Sequence, residues 1–369
     1  MEIGSIYPKE ESEKAISNYT KQLNANQEKA GLNIASITYI AGKSKSLLRE
    51  IDFAKRGEIE IDFNRIGKLV ERYGVFHVQH EYNLLGGYGL PFFKLYKKLG
   101  KMDAKIITTM HNVLSQNEKF SSGALKTFLR KKLYIYQNRA IRKSSDKVIV
   151  HAKFFKDILV KEYRFPEEKV IVLPQGIRED IKLMDKEKAK KELNLKGNIY
   201  LVIGSFIPDH GADVIIKQAD KINGTILVVA NSKAINDRND SRIKDWLNYN
   251  RNLVKERGLK NVRFDIKDLP YELWWKYFAA ADVVLLPYKG GIGSGIFADC
   301  IATNKPMVGS DIKYFNEFAN KWDFIKIAKE DYPEMIEEIM KKDNFQFEEY
   351  KKEYGLTNLV NKYKDIYNG

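Results

Sequence analysis

One cysteine in 369 residues, Cys300, leaves no partner for an internal disulfide and excludes a cysteine-rich zinc site. The five histidines are scattered without metal-ligand spacing. No run approaches the ~18 apolar residues of a membrane-spanning helix. The opening "MEIGSIYPKEESEK" has no apolar signal-peptide core. These absences exclude a membrane-spanning chain and favour the reducing cytosol. There is no internal repeat of solenoid period and no low-complexity tract. The late stretch "YKGGIGSGIFADCIATNKP" is not a dinucleotide fingerprint, since from Gly291 that register needs glycine at Ile296, and it does not match the P-loop pattern.

What is present is a globular composition: 44% hydrophobic, 12% aromatic and 30% charged residues. The length suggests about two domains of roughly 150 to 200 residues. A net charge of +14 fits nucleic acid, anionic lipid, phosphorylated ligands or a lysine-rich surface.

Short β-rich runs alternate with longer amphipathic segments from end to end, the pattern of α/β units with parallel sheets. Strands are expected near Ile3–Ile6, Ile34–Tyr39, Val75–Gln79, Ile106–Thr109, Lys147–His151 and Val170–Leu173. A second series follows at Ile199–Ile203, Thr225–Val229, Asn261–Asp265, Val283–Pro287 and Pro306–Gly309. The polar, helix-prone stretch between them places the boundary near Arg178 to Lys196. Two such units put ligands at the carboxyl ends of their strands.

Five stretches carry candidate chemistry. In the glycine-rich stretch, a strand ending at Pro287 runs into a helix beginning near Ser294. Free backbone N–H groups and the positive end of a helix dipole meet there, which suits a phosphate or diphosphate; a tight structural turn is the other reading. "YLVIGSFIPDHGAD" is a second strand-to-helix turn, with Gly204, Ser205 and His210. "VQHEYNLLGGYG" sets His80 beside Glu81 at a strand tip, and "IITTMHN" ends a β-branched strand on His111. Such histidines act on a ligand hydroxyl or serve as satisfied local hydrogen-bonders. The segment from Lys126 to Lys143 has seven basic residues and no acidic one, with Leu125, Leu129, Leu133, Tyr136 and Ala140 in a helical stripe. It docks on an anionic membrane surface or packs in the core with a solvated basic face. Nucleic acid is not expected, because no binding module accompanies the charge.

These pieces, in this order, resemble the retaining glycosyltransferases of family 4. The resemblance runs through "TTMHN", "SSDKVIVHAKFFKDILVKEYRFPEEKVIVLPQGI", "LVIGSFIPDHGADVIIKQA", "LPYELWWKYFAAADVVLLPY" and the closing "LTNLVNKYKDIY". "VQHEYNLLGGYG" is similar to the QHE(Y/F)xxxGG motif of a mannosyltransferase-like subgroup. The resemblance implies a GT-B fold, with two Rossmann-like doubly wound domains facing across a cleft. Residues 1–180 would form the acceptor domain and 181–350 the donor domain, and 351–369 a helix returning to the first. It implies transfer of a hexose, mannose or glucose, from a UDP- or GDP-linked sugar to a hydroxyl acceptor such as a glycan or lipid-linked saccharide. No metal and no cofactor are expected. Gly204, Ser205, His210, Gly291, Gly293, Ser294, Gly295 and Asp299 would hold the donor, with Asp299 on the ribose. His111 would lie near the transferred sugar, and His80 and Glu81 would shape the acceptor site. Gly291 and Asp299 stand where the family carries two glutamates, and Ser205 and His210 where it carries an arginine and a lysine. Those departures keep open a catalytically silent nucleotide-sugar binder, as well as an epimerase or phosphorylase on the same fold.

Overall fold

Parallel strands buried on both faces need near-continuous apolar runs, and the β-branched segments supply them. The computed structural model describes residues 2–9, 14–39, 73–82, 84, 90–118, 124–232, 241–290 and 293–369. Gly291 and the glycines of the Val78–Gly89 stretch lie outside the described residues.

The chain divides into two units, Met1–Gly176 with Leu356–Gly369, and Ile177–Gly355. In the first, β1 (Glu2–Pro8), α1 (Lys14–Lys29), β2 (Asn33–Tyr39), β3 (Val75–His80), α2 (Leu90–Leu99), β4 (Lys105–Met110), α3 (Ala124–Ser144), β5 (Lys147–Val150), α4 (Lys153–Lys161) and β6 (Val170–Val172) succeed one another. The strands form a parallel sheet in the order β2-β1-β3-β4-β5-β6. Gly31 ends α1 at φ +84°, where the Leu32 N–H reaches back to the Gln27 carbonyl at 3.0 Å.

The second unit holds α5 (Lys186–Glu192), β7 (Ile199–Gly204), α6 (Ala212–Ile216), β8 (Thr225–Asn231), α7 (Ser241–Glu256), β9 (Val262–Lys267), α8 (Tyr271–Ala280), β10 (Val283–Leu286), α9 (Gly295–Ala302), β11 (Met307–Ser310), α10 (Lys313–Ala319), β12 (Ile325–Ala328), α11 (Tyr332–Met340) and α12 (Phe347–Tyr354). Its parallel sheet runs β12-β11-β10-β7-β8-β9. A final helix, α13 (Leu356–Asn368), belongs to the first unit. It packs on α1 and buries Leu359, Val360, Tyr363 and Tyr367.

Three details differ from the sequence reading. The chain changes unit at Gly176 and Gly355 rather than at 180 and 350. The segment read as a connection carries α5 and belongs to the second unit, where the buried Asp282 carboxylate holds Lys186 and Lys190. The apolar stripe of α3 is not its buried face: Leu129 and Tyr136 are 38% and 51% exposed, and Phe128 is 55% exposed. The buried side presents Tyr134, Gln137, Asn138 and Ile141 instead, because the Tyr82 ring packs tilted against Tyr134 (4.6 Å between centroids) and its hydroxyl donates to Asn138 Oδ1 at 3.1 Å.

Candidate functional site

In each sheet the strand order reverses once, and the loops on either side of that point diverge and leave an opening at the carboxyl ends. In the second unit the reversal lies between β7 and β10. The two strand-to-helix turns singled out in the sequence follow these two strands.

The turns are locked together. After β7, Gly204 (φ +126°) leads through Ser205 to a 3-10 turn at Pro208–His210 and then to Gly211 at φ +67°. A Cβ on Gly211 would sit 1.8 Å from the Pro287 carbonyl oxygen at the end of β10. Only a residue without a side chain permits this approach. The Lys289 N–H donates to the Asp209 carbonyl at 2.8 Å, and the His210 ring stacks on Tyr288 with centroids 4.5 Å apart. Gly204, Ser205, Ile207, His210 and Tyr288 line one small pocket.

Ser294 is the N-cap of α9. Its Oγ accepts the Phe297 N–H at 3.1 Å and lies 3.0 Å from the Tyr288 hydroxyl. The side chain is therefore spent within the protein. The anion-binding capacity of the turn resides in the N–H groups of the first helical turn and their dipole, in front of Gly293 and Gly295. Gly295 is exposed, and a Cβ there would meet nothing within 4 Å.

One turn further along, Asp299 accepts the Trp274 indole N–H at 3.1 Å. Burial pushes its carboxyl up to about 7, against the opposing pull of the indole and of Arg178. The Arg178 guanidinium lies over Tyr271 and Trp275, 5.1 and 5.6 Å from their centroids, and is forked onto Asp180.

The charged groups around the first turn offset one another. His210 is neutral at pH 7, since burial lowers its pKa despite Asp209. Lys289 contributes a cation, but Asp213 binds it at 2.7 Å and it lies over the Trp246 ring. Burial alone would raise the Asp213 carboxyl; its bonds to Lys289 and Lys217 pull it below the usual range.

In the first unit the carboxyl ends of β4 and β5 bring two imidazoles side by side, those of His111 and His151. The His111 N–H donates to the His80 carbonyl at 3.0 Å, and His111 Nδ1 lies 3.3 Å from His151 Nε2. His111 Nε2 lies 2.8 Å from the Gln79 side-chain amide. His111 is half-buried, and burial, reinforced by His151, His77 and His80, lowers its pKa well below the ordinary value. It is a neutral imidazole at pH 7.

His80 points away from this pair. Successive strand residues face opposite sides, so Gln79 turns toward His111 while His80 is buried among Tyr82, Phe92 and Tyr96. Neither of its ring nitrogens has a hydrogen-bond partner among the described residues, and desolvation lowers its pKa to about 3. Glu81, half-buried just past the strand, accepts the Leu84 N–H on its carbonyl at 3.1 Å.

Both sheets and their helices recur in solved structures. The sucrose-phosphate synthase of Thermosynechococcus elongatus superposes with a TM-score of 0.77 over 100% of this chain and 98% of its own, at 15% identity. WaaG, a glycosyltransferase involved in lipopolysaccharide biosynthesis, matches with a TM-score of 0.66 over 100% of both chains, also at 15% identity. HepE of Anabaena, solved with UDP, gives 0.63 over 99% of this chain and 95% of its own, at 11% identity. The fold is GT-B. Within this GT-B chain, residues 49–180 match the model of Glycosyltransferase Family 4. No curated protein sequence matches the chain.

Sequence reasoning missed four parts of this GT-B frame: Gln79, His151, Trp274 and the Gly211–Pro287 contact. Gln79 and His151 left a signal, because β4 and β5 end in register on His111 and His151, and strand parity puts Gln79 rather than His80 on the same face. The other two depend on contacts between segments distant in sequence.

Proposed function

We propose that the protein is a retaining glycosyltransferase that moves a hexose from a nucleotide diphosphate sugar to a hydroxyl acceptor and needs no metal. The observation that carries this reading is the lock between the two turns at the β7/β10 reversal. It presents the N-terminus of α9 and the Gly204–Ser205 turn on one rigid frame, in a fold shared with glycosyltransferases. Backbone N–H groups there would take the diphosphate as it departs, and preorganised donors aimed at developing charge are the main catalytic resource of such a reaction. This compensates for the neutral Ser205 and His210. Asp299 would meet the ribose, with its proton as a donor or its carboxylate as an acceptor near neutral pH. His111, at the β4 tip of the first unit, would lie by the transferred sugar.

HepE has been solved with UDP-glucose, which makes uridine nucleotides the first donors to try. Thermal-shift screening of UDP, GDP, ADP and their sugars is the test: stabilisation by one nucleotide, as any ligand of the native state must give, fixes the base. NMR of the product then reads the anomeric configuration, and turnover should survive chelation. Failure of every nucleotide to stabilise the protein refutes the proposal, and binding without turnover favours a silent binder.

The exposed face of α3 supports an anionic membrane surface as a further partner, where a lipid-linked acceptor would be met. Phe128, Leu129, Lys132, Tyr136, Arg139 and Lys143 all face solvent on one side of the helix. Lys132 and Arg139 sit over the Phe128 and Tyr136 rings. Aromatic rings interleaved with cations suit the headgroup region. Among the described residues no helix is long and apolar enough to cross a membrane.

A further inference from the structure

Three imidazoles of the first unit, those of His77, His111 and His151, belong to one hydrogen-bonded chain whose donors and acceptors can be assigned by counting. The Leu173 carbonyl only accepts, so His151 Nδ1, 3.0 Å away, carries a proton. A neutral His151 then accepts at Nε2, and the proton between it and His111 is on His111 Nδ1. What remains is His111 Nε2, 2.8 Å from Gln79 Oε1 as the amide is placed; a half-turn exchanges the amide's oxygen and nitrogen, so there are two solutions.

If the amide turns its NH2 group to His111, then Nε2 accepts and His111 is neutral. The amide oxygen then faces His77 Nε2, 3.3 Å from the amide and 2.7 Å from Thr109 Oγ1, so His77 is protonated at Nε2. His77 Nδ1 accepts from the Tyr367 hydroxyl at 2.9 Å, and that oxygen accepts from the Gln27 amide at 2.9 Å. Every group is paired and none is charged. If the amide turns its oxygen to His111 instead, both His111 nitrogens must donate and the ring is an imidazolium. The amide NH2 then donates to His77 Nε2, and His77 carries its proton on Nδ1. A half-turn of one amide thus exchanges the charge of His111 and the tautomer of His77.

We propose that Gln79 is a positioning residue that sets the protonation state and tautomer of His111 through the orientation of its amide. The ionisable groups packed around His111 are His77 and His80 from β3, His151 after β5, and Tyr19 from α1, whose ring meets it edge-on at 5.5 Å. The next layer holds Tyr363 and Tyr367 of α13, both buried and held protonated by burial. A charge among these rings is costly, so the neutral arrangement prevails until a proton is delivered to Nε2, and the amide then turns to accept it.

The test is long-range 1H–15N NMR of the imidazoles in the full chain without donor. Wild type should show Nδ1–H on His111 and His151 and Nε2–H on His77 at neutral pH. Gln79→Glu places a carboxylate at Nε2 and should raise the His111 titration midpoint by about 1 to 3 pH units, as an adjacent opposite charge does. Neutral His111 protonated at Nε2 in wild type would overturn the proposal, and so would a His111 titration that Gln79→Glu leaves unmoved. Should that variant fail to fold, the wild-type tautomers decide. The consequence for transfer rests on the reading above that His111 lies by the sugar. If that holds, the acid limb of the pH–rate profile shifts upward with the His111 midpoint while nucleotide affinity stays unchanged. A shifted midpoint in a chain with no transfer activity would sink only the functional reading.

Discussion

Replacing Gly211 with alanine tests the lock between the two turns, and Gly258 supplies its control. Both glycines are left-handed, at φ +67° and +61°. A methyl group on Gly258 meets nothing within 4 Å, whereas on Gly211 it falls 1.8 Å from the Pro287 carbonyl oxygen. Gly258→Ala therefore incurs only the backbone term, roughly 1 to 2 kcal/mol. Gly211→Ala adds a clash that the Pro287 backbone must relieve by moving more than 1 Å, because real Cβ contacts closer than 3.0 Å do not persist. Overpacking of that kind costs about 1 to 3 kcal/mol more, for roughly 2 to 5 kcal/mol in all. At about 2 to 4 °C per kcal/mol for a unit of this size, the Gly211 variant should melt roughly 4 to 20 °C below wild type, and further below it than the Gly258 variant. Because the movement falls on the entry to the glycine-rich turn, nucleotide affinity should also drop about tenfold, some 1.4 kcal/mol, in Gly211→Ala and not in Gly258→Ala. Calorimetric melting and isothermal titration with UDP, or with whichever nucleotide the screen selects, read both effects. Equal melting points for the two variants, or unchanged affinity in Gly211→Ala, would refute the argument that this contact holds the site together.

Three further outcomes are expected. Ser294→Ala removes the N-cap of α9 and the partner of the Tyr288 hydroxyl, and should cost about 0.5 to 2 kcal/mol in urea denaturation; no loss would mean that the cap is redundant. The Asp299 carboxyl titrates near 7 in the folded state, above its unfolded value of about 3.9. The native protein thus holds a proton that the unfolded chain has released, and stability should fall as pH rises from about 4 to about 7. Asp299→Asn should flatten that slope, and a parallel slope in wild type and variant would contradict the assignment. Substituting Phe128 and Tyr136 by serine should abolish flotation with anionic liposomes at low salt without lowering the melting temperature, since both side chains are more than half exposed; wild-type flotation by this variant would dismiss α3 as the docking face.

Much of the architecture was legible because parallel strands sheathed on both faces must be runs such as "VFHVQH" and "ADVVLLP", which stand out against polar surroundings. β12 was not legible. Four residues, Ile325–Ala328, with a lysine in the middle suffice for an edge strand paired on one side only, and they resemble a loop. The donor-side turns could be placed from glycine and strand pattern, but the role of Ser294 could not: a serine before a helix reads equally as a cap or as a phosphate ligand, and the choice depends on Tyr288 and Phe297 arriving beside it. The acceptor-side histidines show a different limit. His80 caught attention through its neighbour Glu81, yet strand parity sends it into an aromatic pocket and brings Gln79 to His111. On α3, apolar periodicity misled because Asn138 and Gln137 are polar yet buried, their sites fixed by packing against segments remote in sequence.

The placement of α13 bears on how the polypeptide assembles during synthesis. Residues 177–355 are inserted into the other unit, and the two ends of the insertion lie side by side, with the Ile177 N–H donating to the Tyr354 carbonyl at 2.9 Å and Ile177 bridged to Gly355. The second unit can close on itself as soon as Gly355 has emerged. The first cannot: the core around Tyr19, His77 and Gln27 lacks Tyr363 and Tyr367 until the whole insertion has been translated. The half of the protein encoded first is therefore the half completed last, and it must wait with an open aromatic core while its neighbour folds.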